Sequence, residues 1–169
     1  MPGRAAGRHY TKGGGGSNFL CLPEQLQWKN QTDTTQYKGL LYGVEYRVQY
    51  HETLFRRANN PDGSSFHGKP TSCAVCYVPR RSASVVIPGR TSCPVGWTHE
   101  YGGYLMSEFS SDVSRHSSNY ICVDDAPDVP SGGVNQIQSV LYFVAIYCGS
   151  LPCSIYHSGW EMACVVCTK

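Results

Sequence analysis

Charge is scarce in this chain. Of its 169 residues only 15% are Asp, Glu, Lys or Arg, and 14 basic against 12 acidic side chains leave a net charge of +2. A protein that grips a phosphate backbone needs a clear basic excess on one face, so a dedicated nucleic-acid binder is excluded. Long apolar runs are missing too, and nothing approaches the roughly 18 consecutive apolar residues of a membrane-spanning helix. The 18 glycines show no period of three, which excludes a collagen triple helix within this stretch. The opening residues, Met1-Pro-Gly-Arg-Ala-Ala-Gly-Arg-His-Tyr10, contain no apolar core of a secretory signal. No HExxH, P-loop or dinucleotide fingerprint occurs, and the glycine-rich stretch Lys12 to Ser17 is not followed by the Gly-Lys-Ser/Thr of a phosphate cradle, so no cofactor is expected. What remains is a chain with 41% apolar residues, enough for a core, and with unusual counts of 9 Cys and 12 Tyr.

The cysteines are Cys21, Cys73, Cys76, Cys93, Cys122, Cys148, Cys153, Cys164 and Cys167. Such density in a short, Gly- and Pro-rich chain points to disulfides and an oxidising compartment. Two CxxC pairs, Cys73-Ala-Val-Cys76 and Cys164-Val-Val-Cys167, raise zinc as a competitor. Zinc-binding CxxC usually lies in a tight turn that aims both thiolates at one ion. Ala and Val between the cysteines favour extended strand instead, where positions i and i+3 face opposite sides and lie roughly 10 Å apart. Sulfurs so placed neither share a metal nor bond each other, since a disulfide needs Cα atoms within about 7 Å. Each CxxC therefore reaches for two different partners. Cys148 and Cys153 flank Gly-Ser-Leu-Pro, a turn-forming gap that predicts a local bridge. Cys164 and Cys167 then need Cys93 and Cys122, and geometry does not choose between nested and crossed pairing.

Local words recur. Ser17-Asn-Phe-Leu-Cys21 returns as Ser118-Asn-Tyr-Ile-Cys122, Leu41-Tyr-Gly-Val44 as Leu141-Tyr-Phe-Val144, and Cys73-Ala-Val-Cys76 as Cys164-Val-Val-Cys167. Two tandem copies are expected, residues 1–79 and 80–169, each a disulfide-stapled β subdomain. A cysteine as far before Cys21 as Cys93 lies before Cys122 would fall upstream of Met1. The first copy is thus expected to be incomplete at its start, and the odd cysteine and missing signal are both explained if a leader lies beyond this sequence.

Secondary structure reads as mainly β. Residues 40–50 alternate, with Leu40, Tyr42, Val44, Tyr46, Val48 and Tyr50 on one face and Gly43, Glu45, Arg47 and Gln49 on the other. Residues 140–148 are apolar on both faces, as in a fully buried strand, while residues 84–87 and 103–109 are shorter strand candidates. Residues 49–58 suit a helical turn or two. Residues 59–63, 125–128 and 130–133 are turn clusters.

These words carry a resemblance. The run from Cys73-Ala-Val-Cys76 through Ile87-Pro88, Cys93-Pro-Val-Gly-Trp97 and Tyr101-Gly-Gly-Tyr-Leu-Met106 resembles the junction between the halves of the C-terminal non-collagenous domain of type IV collagen. Cys122, the strand ending at Cys148, Cys153, the stretch with Tyr156 and Trp160, and the terminal Cys164-Val-Val-Cys167 follow in the same order. The wording of Val78-Pro-Arg-Arg81, Gly89-Arg-Thr-Ser-Cys93 and Cys148-Gly-Ser-Leu-Pro-Cys153 is closer still to the spongin short-chain collagen-related proteins. The resemblance runs from about Tyr10 to the end. It implies nested pairing, Cys93–Cys167 and Cys122–Cys164, with Cys21–Cys73 in the first half and Cys76 left without a partner. On an apolar strand Cys76 is expected to be a buried, inert thiol. The resemblance further implies a secreted extracellular-matrix module that is structural, not enzymatic, and self-associates, as a trimer in type IV collagen. Matrix proteins or glycans are possible partners. There is no Gly-X-Y segment here, and the residues that cross-link type IV collagen domains have no counterpart.

Two other classes compete. A lectin-like glycan-binding module would draw on Trp97, His99, Glu100, Asp124 and Asp125, although a tryptophan beside a cysteine packs well in a core and Asp124 and Asp125 precede the turn at Ala126-Pro127. The two acids also lack the spacing of a calcium loop. An enzyme is weaker. His99-Glu100 and, where extended, His51-Glu52 face opposite sides, and Ser107-Glu108 has no nucleophile-elbow context. Asn30-Gln-Thr32 is an N-glycosylation sequon in a polar loop. Arg56-Arg57, Lys69 and Arg80-Arg81 read as a solvated face.

Overall fold

The computed structural model describes residues 1–29, 39–56, 65–110 and 114–169. Asn30, the turn cluster at 59–63 and the end of the 49–58 segment lie outside the described residues. The described chain is mainly β: β1 (Pro2–Gly7), β2 (Leu20–Pro23), β3 (Tyr42–Tyr46), β4 (Ser72–Ala74), β5 (Ser84–Pro88), β6 (Thr98–Ser107), β7 (Ile121–Asp124), β8 (Ser139–Phe143) and β9 (Ala163–Thr168). A single 3₁₀ turn, Glu52–Leu54, is the one helical element among the described residues. The strands form one curled mixed sheet in the order β2-β1-β3-β8-β6-β9-β5, with β4 also on β1 and β7 also on β6.

Two central strands organise the sheet, and their ladders share a register. On β1, Ala5 lies opposite Cys21 of β2, Gly3 opposite Cys73 of β4, and Ala6 opposite Gly43 of β3. On β6, Leu105 lies opposite Cys122 of β7, Gly103 opposite Cys164 of β9, and Met106 opposite Phe143 of β8. In both places the sheet curls so tightly that the strands flanking the central one are joined by a disulfide. Cys21–Cys73 has its Cα atoms 5.7 Å apart and Cys122–Cys164 5.8 Å. The residue under each bridge must be glycine. A Cβ on Gly3 would lie 2.2 Å from the Leu22 carbonyl oxygen, and one on Gly103 only 1.9 Å from that of Val123.

β3 and β8 pair in parallel, Val44 opposite Ser139 and Tyr46 opposite Leu141, and so join the first four strands to the last five. The largest core gathers at this seam. Val44, Tyr46, Val48, Phe55, Phe66, Met106 and Leu141 are all buried. Tyr46, Phe55 and Phe66 meet edge-to-face at 5.3–6.2 Å, an arrangement worth about 0.5–1.5 kcal/mol per pair beyond the area buried. A smaller cluster is built on the second bridge itself, Cys122 and Cys164 with Leu105.

Several expectations are corrected. The alternating segment 40–50 is strand only over Tyr42–Tyr46, and its ends, Leu40 and Tyr50, are exposed. Glu45, placed on the polar face, is buried, because a second layer covers that face: its carboxylate accepts the backbone N–H of Gln136 at 2.8 Å and of Ile137 at 3.3 Å. Segment 140–148 leaves the ladder after Phe143, and Tyr147 is exposed. β6 begins five residues before the predicted Gly103 and ends at Ser107, and β5 extends to Pro88. β1 was not foreseen at all.

Candidate functional site

The four bridges are Cys148–Cys153, the local pair that the turn-forming gap predicts, and Cys21–Cys73, Cys93–Cys167 and Cys122–Cys164, the pairs that the resemblance implies. β9 explains how one CxxC serves two bridges. Cys164 and Cys167 are both buried on it, and one reaches β7 while the other reaches Cys93 in the loop after β5. Four disulfides point to an oxidising environment. Cys76 corrects the expectation of burial: it is free and exposed. β4 ends at Ala74, so Cys76 lies beyond the strand, and among the described residues no strand covers it.

A cleft of about 670 Å³ lies between β2, β4 and β7, lined by the first bridge with Phe19, Tyr46 and Ile121 and by the acids Glu24, Asp124 and Asp128. Asp124 is engaged locally, its Oδ1 accepting the Ala126 N–H at 2.8 Å. Tyr101 donates its hydroxyl to the Cys122 carbonyl at 3.0 Å. Burial raises the pKa of both Tyr46 and Tyr101.

The residues considered for glycan contact fall in two places. Half-buried Trp97 immediately precedes β6, and His99 and Glu100, both exposed, lie in its first three residues. Glu100 is paired with Arg81, and Thr168 donates to the same oxygen. Asp124 sits opposite Gly103, four residues or roughly 13 Å along β6 from His99. Asp125 is bound by Arg56, whose Nε donates to its Oδ1 at 2.9 Å. The adjacent pairs weighed for catalysis also face other neighbours. His51 meets Glu161 at 3.3 Å, Glu52 accepts from Ser65, and Ser107 bonds to Ser118. Among the described residues no cluster of three or more His, Cys, Asp or Glu is placed to hold a metal ion, and no helix is long and apolar enough to cross a membrane.

A cation–aromatic cluster at the seam was not foreseen. The Arg115 guanidinium lies over the rings of Tyr10, Phe109 and Tyr142 at 4.8, 5.2 and 5.6 Å, and donates to Glu108 at 2.7 Å. It ties the N-terminal segment to β6 and β8 through residues distant in sequence, so no local pattern announced it. Burial of Glu108 raises its carboxyl pKa, and the Phe109 N–H and Arg115 only partly offset that rise. The folded protein therefore holds this proton more tightly than the unfolded chain. The stabilisation it contributes is complete below the unfolded value of 4.5 and is lost as pH rises through the folded one. Urea midpoints measured from pH 4 to 7 should fall less with rising pH in Glu108→Gln than in the parent. A parent that instead gains stability over the variant on going up in pH would contradict this assignment.

No family model matches the chain, and no solved structure matches it either.

Proposed function

We propose that this chain is a secreted extracellular-matrix module that works by self-association. On this reading it is built from two tandem copies of a disulfide-framed β unit, residues 1–79 and 80–169, like the halves of the non-collagenous domain of type IV collagen and of the spongin short-chain collagen-related proteins. The observation that carries the reading is the repeated frame: a central strand with glycine under a disulfide, Gly3 beneath Cys21–Cys73 and Gly103 beneath Cys122–Cys164, flanked in the same register. Such a frame is rigid and covalently closed, suited to presenting surfaces and ill suited to the moving parts that many reactions need. Association is supported by the segment between β8 and β9, where Tyr147, Leu151, Ile155 and Trp160 are exposed around the Cys148–Cys153 staple. Apolar side chains concentrated on one surface segment mark interaction sites more often than solvent-facing decoration.

Light scattering on the purified, oxidised chain tests this. The expected result is a concentration-dependent oligomer that Ile155→Asp with Trp160→Ser shifts to monomer without loss of the four bridges. A clean monomer at high micromolar concentration overturns the reading.

A further inference from the structure

β9 is covered on both edges and β4 on one. β6 pairs one edge of β9 and β5 the other, with Val85 opposite Cys167, Val86 opposite Val166 and Ile87 opposite Val165. β4 has the matching place on β1, Cys73 opposite Gly3 as Cys164 is opposite Gly103. By that register Val75 corresponds to Val166 and Cys76 to Cys167. Among the described residues no strand pairs the outer edge of β4.

That edge is oriented outward. Thr71 accepts from the Ala5 N–H, and Val75 exchanges hydrogen bonds with Met1, so both turn their backbone toward β1. In an antiparallel ladder the alternate residues of β4, Ser72 and Ala74, then turn theirs away, and Cys76 follows two residues past the end of the strand. Beside them Val75 is 50% exposed and Tyr77 88% exposed. An unpaired edge flanked by exposed apolar side chains is a template for an added strand. The second half shows which strand such an edge takes in this molecule: β-branched residues opposite the Cys-Val-Val-Cys, then a cysteine in the following loop that bonds the last one.

We propose that the outer edge of β4, with Cys76 at its end, is an acceptor site for an extended polypeptide segment of the β5 type, β-branched and followed within a few residues by a cysteine. Backbone pairing places the incoming cysteine beside Cys76, and thiol–disulfide exchange then fixes it. When the incoming cysteine carries a glutathione mixed disulfide, the Cys76 thiolate attacks its sulfur, the new S–S bond forms, and glutathione leaves as the thiolate. No further oxidant is needed. The inference rests on the association reading only in taking a polypeptide as the partner.

The probe is a synthetic peptide with the sequence of residues 84–97 of this chain, its cysteine capped with glutathione, added to the full oxidised protein. The control is a peptide of the same composition with its first five residues scrambled. The expected result is one peptide per chain on Cys76, one glutathione released, labelling about tenfold faster than with the scrambled peptide through raised effective concentration, and slowed amide exchange at Ala74 and Cys76. Ala74→Pro removes an outward N–H and should cut the rate to the scrambled level, while Cys76→Ser should keep the amide protection with reduced peptide. Equal labelling by both peptides overturns the proposal even if Ala74→Pro does not fold, and so does capture of a second copy through Cys76 in place of the peptide. A chain that is monomeric in light scattering yet takes the peptide sinks the association reading alone. A chain that assembles but ignores the peptide sinks this one alone.

Discussion

Gly103→Ala should prevent β7 from closing onto β6. The added Cβ would lie 1.9 Å from the Val123 oxygen, 2.6 Å from the Asp125 nitrogen and 2.8 Å from the Asp124 carbonyl carbon, all backbone atoms of β7 and the residue that follows it. No rotamer change relieves a backbone clash. β7 would have to move off β6, and with it the Cys122 that must meet Cys164. Overpacking of this kind usually costs about 1–3 kcal/mol where side chains can yield, and more where they cannot. Stabilities of single domains are about 5–15 kcal/mol, so low refolding yield with mispaired cysteines is expected. Gly43→Ala is the matched control, since a Cβ there meets nothing within 4 Å, and it should stay within about 1 kcal/mol of the parent. Guanidinium midpoints with non-reducing peptide maps decide the matter. A Gly103→Ala protein as stable as Gly43→Ala, with four correct bridges, would mean that β7 is free to shift.

The second large effect concerns the bridge above that glycine. Replacing Cys122 and Cys164 together by Ala frees a 42-residue separation, for which loop-closure entropy predicts a loss of about 4 kcal/mol. The pair Cys148 and Cys153 closes only five residues, and its removal should cost about 2 kcal/mol. The order of the two double variants in a denaturant series is the test. Equal losses would show that the curl, and not the unfolded chain, dominates what the bridge contributes.

Much of this frame was legible in the chain. The recurring words around Cys21 and Cys122, and around Cys73 and Cys164, mark the strands that flank β1 and β6. Extended geometry kept the two cysteines of each CxxC from bonding each other, and at Cys164 and Cys167 it called for two separate partners. The choice of nested bridges needed the family resemblance, because strand geometry alone allowed both pairings. β1 escaped notice for a physical reason: Pro2-Gly-Arg-Ala-Ala-Gly7 has no β-branched residue and no alternation, and it is a strand because only small residues fit beneath the curl. Glu45 escaped because the pattern of a strand describes one covered face, while the 133–138 segment covers the other. Burial of Cys76 is the expectation for an apolar strand, but burial at β9 depends on β5, and among the described residues no strand covers β4 in that way.

The parallel ladder between β3 and β8 bears on how the protein is made. A parallel pair cannot close by a tight turn, and Ser139 follows Val44 by roughly a hundred residues, a separation that makes closure slow. A ribosome releases chain at about 5–20 residues per second, so β3 emerges several seconds before its neighbour exists. During that interval Val44 and Tyr46, wholly buried at the end, face water, and Cys21 and Cys73 are already available to oxidise. The first covalent staple can therefore form while the sheet is still half open. Faithful folding depends on a nascent chain being shielded from its neighbours until β8 arrives.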